Sequence, residues 1–112
     1  MFCKRNNEGY RQVIPGVALK TTVHGDRTQI VEFKLEAGNT LPMHAHEQEQ
    51  TGYLVSGSIV LTIGAETFNV EPGDSWNIPG NVEHGAKILA DSVAIEVFSP
   101  LRQDYLPTSK AS

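Results

Sequence analysis

Three of the four histidines in this chain stand where they could share one metal ion. His44 and His46 are two apart within GNTLPMHAHEQEQTGYLVSG, residues 38–57, and His84 follows the turn Pro79-Gly80. Imidazole nitrogens suit divalent first-row metals. Alternate side chains of a strand share a face, so the spacing directs the rings of His44 and His46 into one cavity. Gln48 and Gln50 continue that parity, and either can add an amide oxygen. Glu47 and Glu49 fall on the other face and are expected in solvent. A ligand set of imidazoles and one amide is neutral, so the ion keeps its full positive charge. That favours Lewis-acid chemistry on an anionic substrate over oxygen chemistry. The competing reading is a hydrogen-bonded histidine pocket without metal, which three histidines in this arrangement disfavour. His24 reads as a surface-loop residue.

The elements that must position these groups read as short strands. Strands are expected at Tyr10–Ile14, Val17–Val23, Thr28–Leu35, Thr51–Val55, Ile59–Ile63, Thr67–Val70, Ser75–Ile78, Val82–Leu89 and Val93–Phe98. Turn signals separate them: Pro15-Gly16, Gly38-Asn39, Ser56-Gly57-Ser58, Gly64-Ala65-Glu66, Pro72-Gly73-Asp74, Pro79-Gly80-Asn81 and Ala90-Asp91-Ser92. Ser56-Gly57-Ser58 is expected as a tight hairpin and Ala90-Asp91-Ser92 as another turn. Gly52 is expected to interrupt its strand. Phe68, Val70, Trp76, Ile78, Ile95 and Val97 read as barrel wall. Residues 1–9 form an irregular lead-in, 101–106 allow one short helical turn, and 107–112 read as a mobile tail. No window carries a helical stripe, so the class is an all-β sandwich or barrel of eight to ten strands.

At 112 residues the chain is expected to form a single domain with one modest core. Its formal charge of −4 has no basic run, which argues against nucleic acid or an anionic membrane as partner. Cys3 is the only cysteine, so no internal disulfide can form. The first residues lack the apolar segment of a signal peptide, and a cytoplasmic protein is expected.

The motif spacing resembles that of the cupins. Gly38, His44, His46, Gln50 and Gly57 keep every interval of the first cupin motif, with glutamine where most cupins carry glutamate. Gly73, Pro79 and His84 keep those of the second, with Asn81 in a glycine position and Ile88 in the position of its final asparagine. The resemblance implies a double-stranded β-helix, or jelly-roll barrel. It also implies a divalent transition metal (Zn, Ni, Mn or Fe) on His44, His46, Gln50 and His84.

A narrower resemblance is to the small single-domain cupins of pectin and alginate degradation. It rests on His44, His46, Glu49 and Gln50, on PGNVEHGA (79–86), and on EVFSPLRQDYL (96–106). Those proteins open 4,5-unsaturated uronate monomers to linear keto sugar acids. Their active-site aspartate, phenylalanine and arginine correspond to Glu96, Phe98 and Arg102, the acid being one methylene longer here. Glu96 and Phe98 share a strand face opposite Ile95 and Val97, an arrangement suited to a cavity with a polar mouth. Arg102, beyond Pro100, can clamp a carboxylate through paired hydrogen bonds. The implied protein is a metal-dependent isomerase acting on a small anionic sugar acid. Two other readings stand beside it: another metal-dependent small-acid lyase or dioxygenase, and a non-catalytic cupin that binds a sugar or effector. A homodimer is expected, because Ile59–Ile63 is apolar at both parities. Tyr53 is left unplaced by its spacing, and Tyr105 is expected to pin the tail.

Overall fold

Val31, Phe33 and Leu35 alternate with Ile30, Glu32 and Lys34, and the first three are buried. That pattern, repeated along the chain, builds an all-β structure in which each strand turns one face inward. The computed structural model describes residues 1–107. The tail expected over 107–112 therefore lies, beyond Pro107, outside the described residues.

Among the described residues there are eight strands. They are β1 (Arg11–Ile14), β2 (Val17–His24), β3 (Gln29–Leu35), β4 (Thr40–His44), β5 (Glu49–Ile63), β6 (Glu66–Val70), β7 (Ser75–Ile78) and β8 (His84–Ser99). A single 3-10 turn, Gln103–Tyr105, follows. The expected jelly-roll is present. The first part of β5 pairs with β7 and the end of β8, and its second part pairs with β6 and the start of β8. The end of β8 also pairs with β3, and its start with β4. Two leaves result, β1-β2-β3-β8-β5-β7 and β4-β8-β5-β6, with β5 and β8 belonging to both. The core lies between the leaves and includes Val17, Leu19, Leu54, Ile59, Leu61 and Ile78.

The two long strands correct the expected turns. No hairpin forms at Ser56-Gly57-Ser58, and no turn at Ala90-Asp91-Ser92. β5 and β8 run on for 15 and 16 residues. The register slips between Leu54 and Ile59, so the two strands bend there against one another. Gly57 has φ 97°, and a Cβ on it would lie 2.0 Å from Ser92 Oγ. That hydroxyl accepts the Ser58 N–H at 3.0 Å and donates to Ala90 O at 2.7 Å. A bulge and a tight turn both ask for a glycine in the left-handed region, so locally they carry the same signature. β5 also runs through Gly52 without interruption.

Of the residues read as barrel wall, Val70, Trp76 and Ile78 are in the core and Phe68 is not, while Ile95 and Val97 face away from Glu96 and Phe98, as their parity implied. Phe68 is exposed, and Ile95 and Val97 lie half-buried on the outer face of β8. Residues 1–9 are irregular, and Lys20 ties them down by donating to Asn6 O, Asn6 Oδ1 and Glu8 O. His24 is not in a loop. It is the last residue of β2, half-buried, and its Nδ1 has no partner among the described residues. Among the described residues no helix is long and apolar enough to cross a membrane.

Candidate metal centre

His44 ends β4 and His84 opens β8, and the two are partners in the ladder between those strands. Their ring centroids are 4.3 Å apart. His46 does not share a strand with His44, as its parity suggested, because β4 stops at His44. It stands in the loop to β5 and reaches the same point, its centroid 5.7 Å from His44 and 4.9 Å from His84. The loop is held by a backbone bond from Asn81 N–H to His46 O, 2.7 Å. Asn81, in a glycine position of the second motif, has φ 66°; asparagine is among the non-glycine residues that best tolerate that region.

The three rings are oriented alike. The Nδ1–H of His44 donates to Pro42 O (2.8 Å), that of His46 to Gln48 O (3.0 Å), and that of His84 to Val82 O (2.9 Å). A carbonyl only accepts, so Nδ1 carries the proton and each neutral ring turns the Nε2 lone pair inward. One ligand atom from each of the three histidines lies within 4.8 Å of the others. His84 Nε2 is buried with no hydrogen-bond partner among the described residues. Burial, and then the neighbouring His44, His46 and Arg102, push the His84 pKa down to about 4. Burial and the Arg102 charge also lower that of His46. Both rings are therefore neutral at pH 7, the state a metal requires.

Gln50, at the start of β5, is buried, and its Oε1 lies 3.1 Å from His46 Nε2. With the His46 proton on Nδ1, both atoms are acceptors, and a cation between them would satisfy both. Ligands about 2.1 Å from a common ion and at right angles are roughly 3 Å apart. The lone pairs of the three histidines and this amide oxygen fit a divalent transition metal.

Glu96, Phe98 and Arg102 surround the same cavity. Glu96 is buried on β8 between Ala94 and Phe98. Burial raises its carboxyl pKa to about 7, against the opposing pull of hydrogen bonds from Gln50 and Trp76. Arg102 forms a fork with Asp104, Nε to Oδ1 at 3.2 Å and Nη2 to Oδ2 at 2.9 Å. Its guanidinium lies 4.0 Å from the centre of the Tyr105 ring and 5.4 Å from that of Phe98. The cavity encloses about 50 Å³, room for a few waters and not for a sugar ring. A larger ligand would reach the imidazoles from the mouth, past Arg102.

Sequence reasoning missed three contributors. Trp76, read as barrel wall, donates its indole N–H to Glu96 Oε1 at 3.2 Å; a buried tryptophan needs such a partner, which was the available signal. Tyr105, expected only to pin the tail, lines the cavity and packs edge-on against Phe33 and Phe98. Gln29, which drew no notice, is buried and bonds the backbone of Arg102 at both its N–H and its C=O. Tyr53, unplaced by its spacing, points outward and is exposed. Glu47 and Glu49 are exposed, as expected.

Fold and site together define a cupin, and the chain belongs to that family: the Cupin domain model matches residues 31–99. It is 30% identical to the pectin degradation protein KdgF of Dickeya dadantii over 93 residues, 81% of this chain and 84% of that one. The solved structure of KdgF from Halomonas sp. superposes with a TM-score of 0.84 at 34% identity, covering 88% of this chain and 92% of that chain. H2HPP isomerase of Bacillus subtilis is 32% identical over 83 residues, 73% of this chain. The match spans 35% of H2HPP isomerase and 66% of a further relative, an uncharacterized protein of Streptomyces coelicolor.

Proposed function

We propose that this protein converts 4,5-unsaturated uronate monomers, the products of pectin or alginate lyases, to linear keto sugar acids. One observation carries the reading. A buried carboxyl with a pKa near 7, Glu96, shares a cavity with His44, His84 and Gln50, and His46 brings a third imidazole to the same point. The likeness to KdgF proteins supports the substrate class, and the likeness to H2HPP isomerase supports isomerisation.

An unsaturated uronate is at once a hemiacetal and a cyclic enol ether. Breaking the ring bond at the hemiacetal carbon gives an aldehyde and an enol, and the enol becomes a ketone when its carbon gains a proton. The net change moves one proton from the hemiacetal hydroxyl to carbon, with nothing oxidised or reduced. Glu96 takes the first proton and delivers the second; a pKa near the working pH suits both steps. Arg102 binds the substrate carboxylate in place of Asp104, and Phe98 supplies the apolar wall of the cavity beside Glu96. A divalent ion, Zn, Ni, Mn or Fe, held by His44, His46, His84 and Gln50, would supply Lewis acidity at the substrate oxygens.

We also infer a homodimer. Tyr53 and Val55 are exposed on the outer face that carries half-buried Val93, Ile95 and Val97, and such a face calls for a cover. Sedimentation at micromolar concentration checks this, and a monomer there would refute it. The function is tested with lyase-generated unsaturated monomers and metal-loaded protein. Accelerated loss of the conjugated ultraviolet absorbance is expected; decay at the spontaneous rate overturns the reading.

A further inference from the structure

Gln29 opens β3 on the same inward face as Val31, Phe33 and Leu35, where an apolar side chain would serve the core. It is 1% exposed, and its amide bonds only groups outside that core. Oε1 accepts the Arg102 N–H at 2.7 Å, and Nε2 donates to Arg102 O at 3.3 Å. The same Nε2 donates to Thr21 Oγ1 at 2.8 Å, and that hydroxyl donates to Tyr105 O at 2.7 Å. Two side chains from neighbouring strands thus hold both ends of the turn that carries Arg102 and Tyr105. Burying such polar groups is costly unless every one is paired, and here each is. The bonds to Arg102 are to its backbone, so they set where the turn sits and leave the guanidinium to its fork with Asp104 at the cavity.

We infer that Gln29, with Thr21, is a positioning residue for substrate binding: it fixes the segment 102–105 so that Arg102 meets the substrate carboxylate. The inference rests on the proposed role of Arg102 as the anion clamp.

The test uses the metal-loaded protein with Gln29→Met, which keeps the length and loses the hydrogen bonds, and with Thr21→Val as a second, milder change at the same network. Two readouts are needed. Hydrogen exchange at the Arg102 amide should be protected in the wild type and faster in Gln29→Met, whatever the protein catalyses. In ring-opening assays KM should rise about tenfold with kcat within about twofold, the signature of lost ground-state binding. With Arg102→Ala already in place, Gln29→Met should add nothing to KM. Unchanged exchange at Arg102, in Gln29→Met or in Thr21→Val should the first fail to fold, overturns the clip. Effects on KM that simply add to those of Arg102→Ala overturn the positioning role. Faster exchange with KM unmoved by Gln29→Met and by Arg102→Ala alike overturns the clamp, and with it the inference.

Discussion

Trp76 and Glu96 meet above Gly52. Gly52 is opposite Trp76 in the ladder of β5 with β7 and opposite Glu96 in the ladder of β5 with β8. The indole N–H donates to the carboxylate across the space where a side chain at residue 52 would stand. The glycine is needed here for its missing Cβ and not for its backbone freedom.

Gly52→Ala should therefore strike the site directly. The added methyl would lie 2.2 Å from the Trp76 indole and 2.4 Å from Glu96 Oε1. Overpacking of this kind costs about 1–3 kcal/mol. Denaturant melts should show that loss, and ring-opening turnover should fall while metal content holds.

Glu96→Gln removes the titrating proton and keeps the shape. Turnover should fall by roughly 10²- to 10⁴-fold, the scale of general acid–base catalysis, with metal content intact. Near-full turnover would reduce Glu96 to a wall residue.

Metal-stripped protein should also carry a pH signature of this carboxyl. Its pKa rises from 4.5 unfolded to about 7 folded. The folded state keeps a proton that the unfolded chain has lost, so stability falls as pH climbs from 4.5 to 7, and the full cost is present above 7. Relative to the wild type, Glu96→Gln should gain on the order of 3 kcal/mol at pH 8 and little at pH 4. Equal pH profiles in urea titrations would contradict the burial argument.

His44→Ala and His84→Ala should each lose the metal, read by elemental analysis, with the β-sheet circular dichroism preserved. Gln50→Glu adds a charge beside His46. It should slow metal loss to a chelator and lower turnover, because the ion then attracts an anionic substrate less. Wild-type metal content in both histidine variants would place the ion elsewhere.

Arg102→Ala should raise KM more than it lowers kcat if the guanidinium mainly holds the substrate anion. Equal falls in kcat and kcat/KM would make Arg102 a group that acts only in the transition state.

Much of this was legible in the residues. Val31-Phe33-Leu35 alternation, the turn dipeptides and the spacing of His44, His46, Gln50 and His84 point to an all-β barrel and one histidine cluster. Glu96 and Phe98 share a face by parity alone. What stayed hidden depends on contacts between distant residues. The Ser56-Gly57-Ser58 bulge looks like a hairpin until Ser92 is known to pack against it. The convergence of His46 with His44 owes nothing to strand pleating and depends on a loop tied to Asn81. Gln29 carries no local mark of its role, because its partner Arg102 is 73 positions away.

The continuous pairing of β5 with β8 also bears on how the chain would come to hold a metal. Joining Glu49 to Ser99 closes a loop of about 50 residues, a contact that gains nothing until its closure entropy is met. Topologies built from such pairings fold slowly, in milliseconds to seconds. His44 and His84 lie on one leaf, Gln50 on the other, and they are brought together only once the barrel closes. A nascent chain thus offers no assembled claw to stray ions. In refolding, a metal-binding signal should lag behind strand formation, and a bound ion would act as a clasp on the finished barrel, its stabilisation growing with the logarithm of the free metal concentration above Kd.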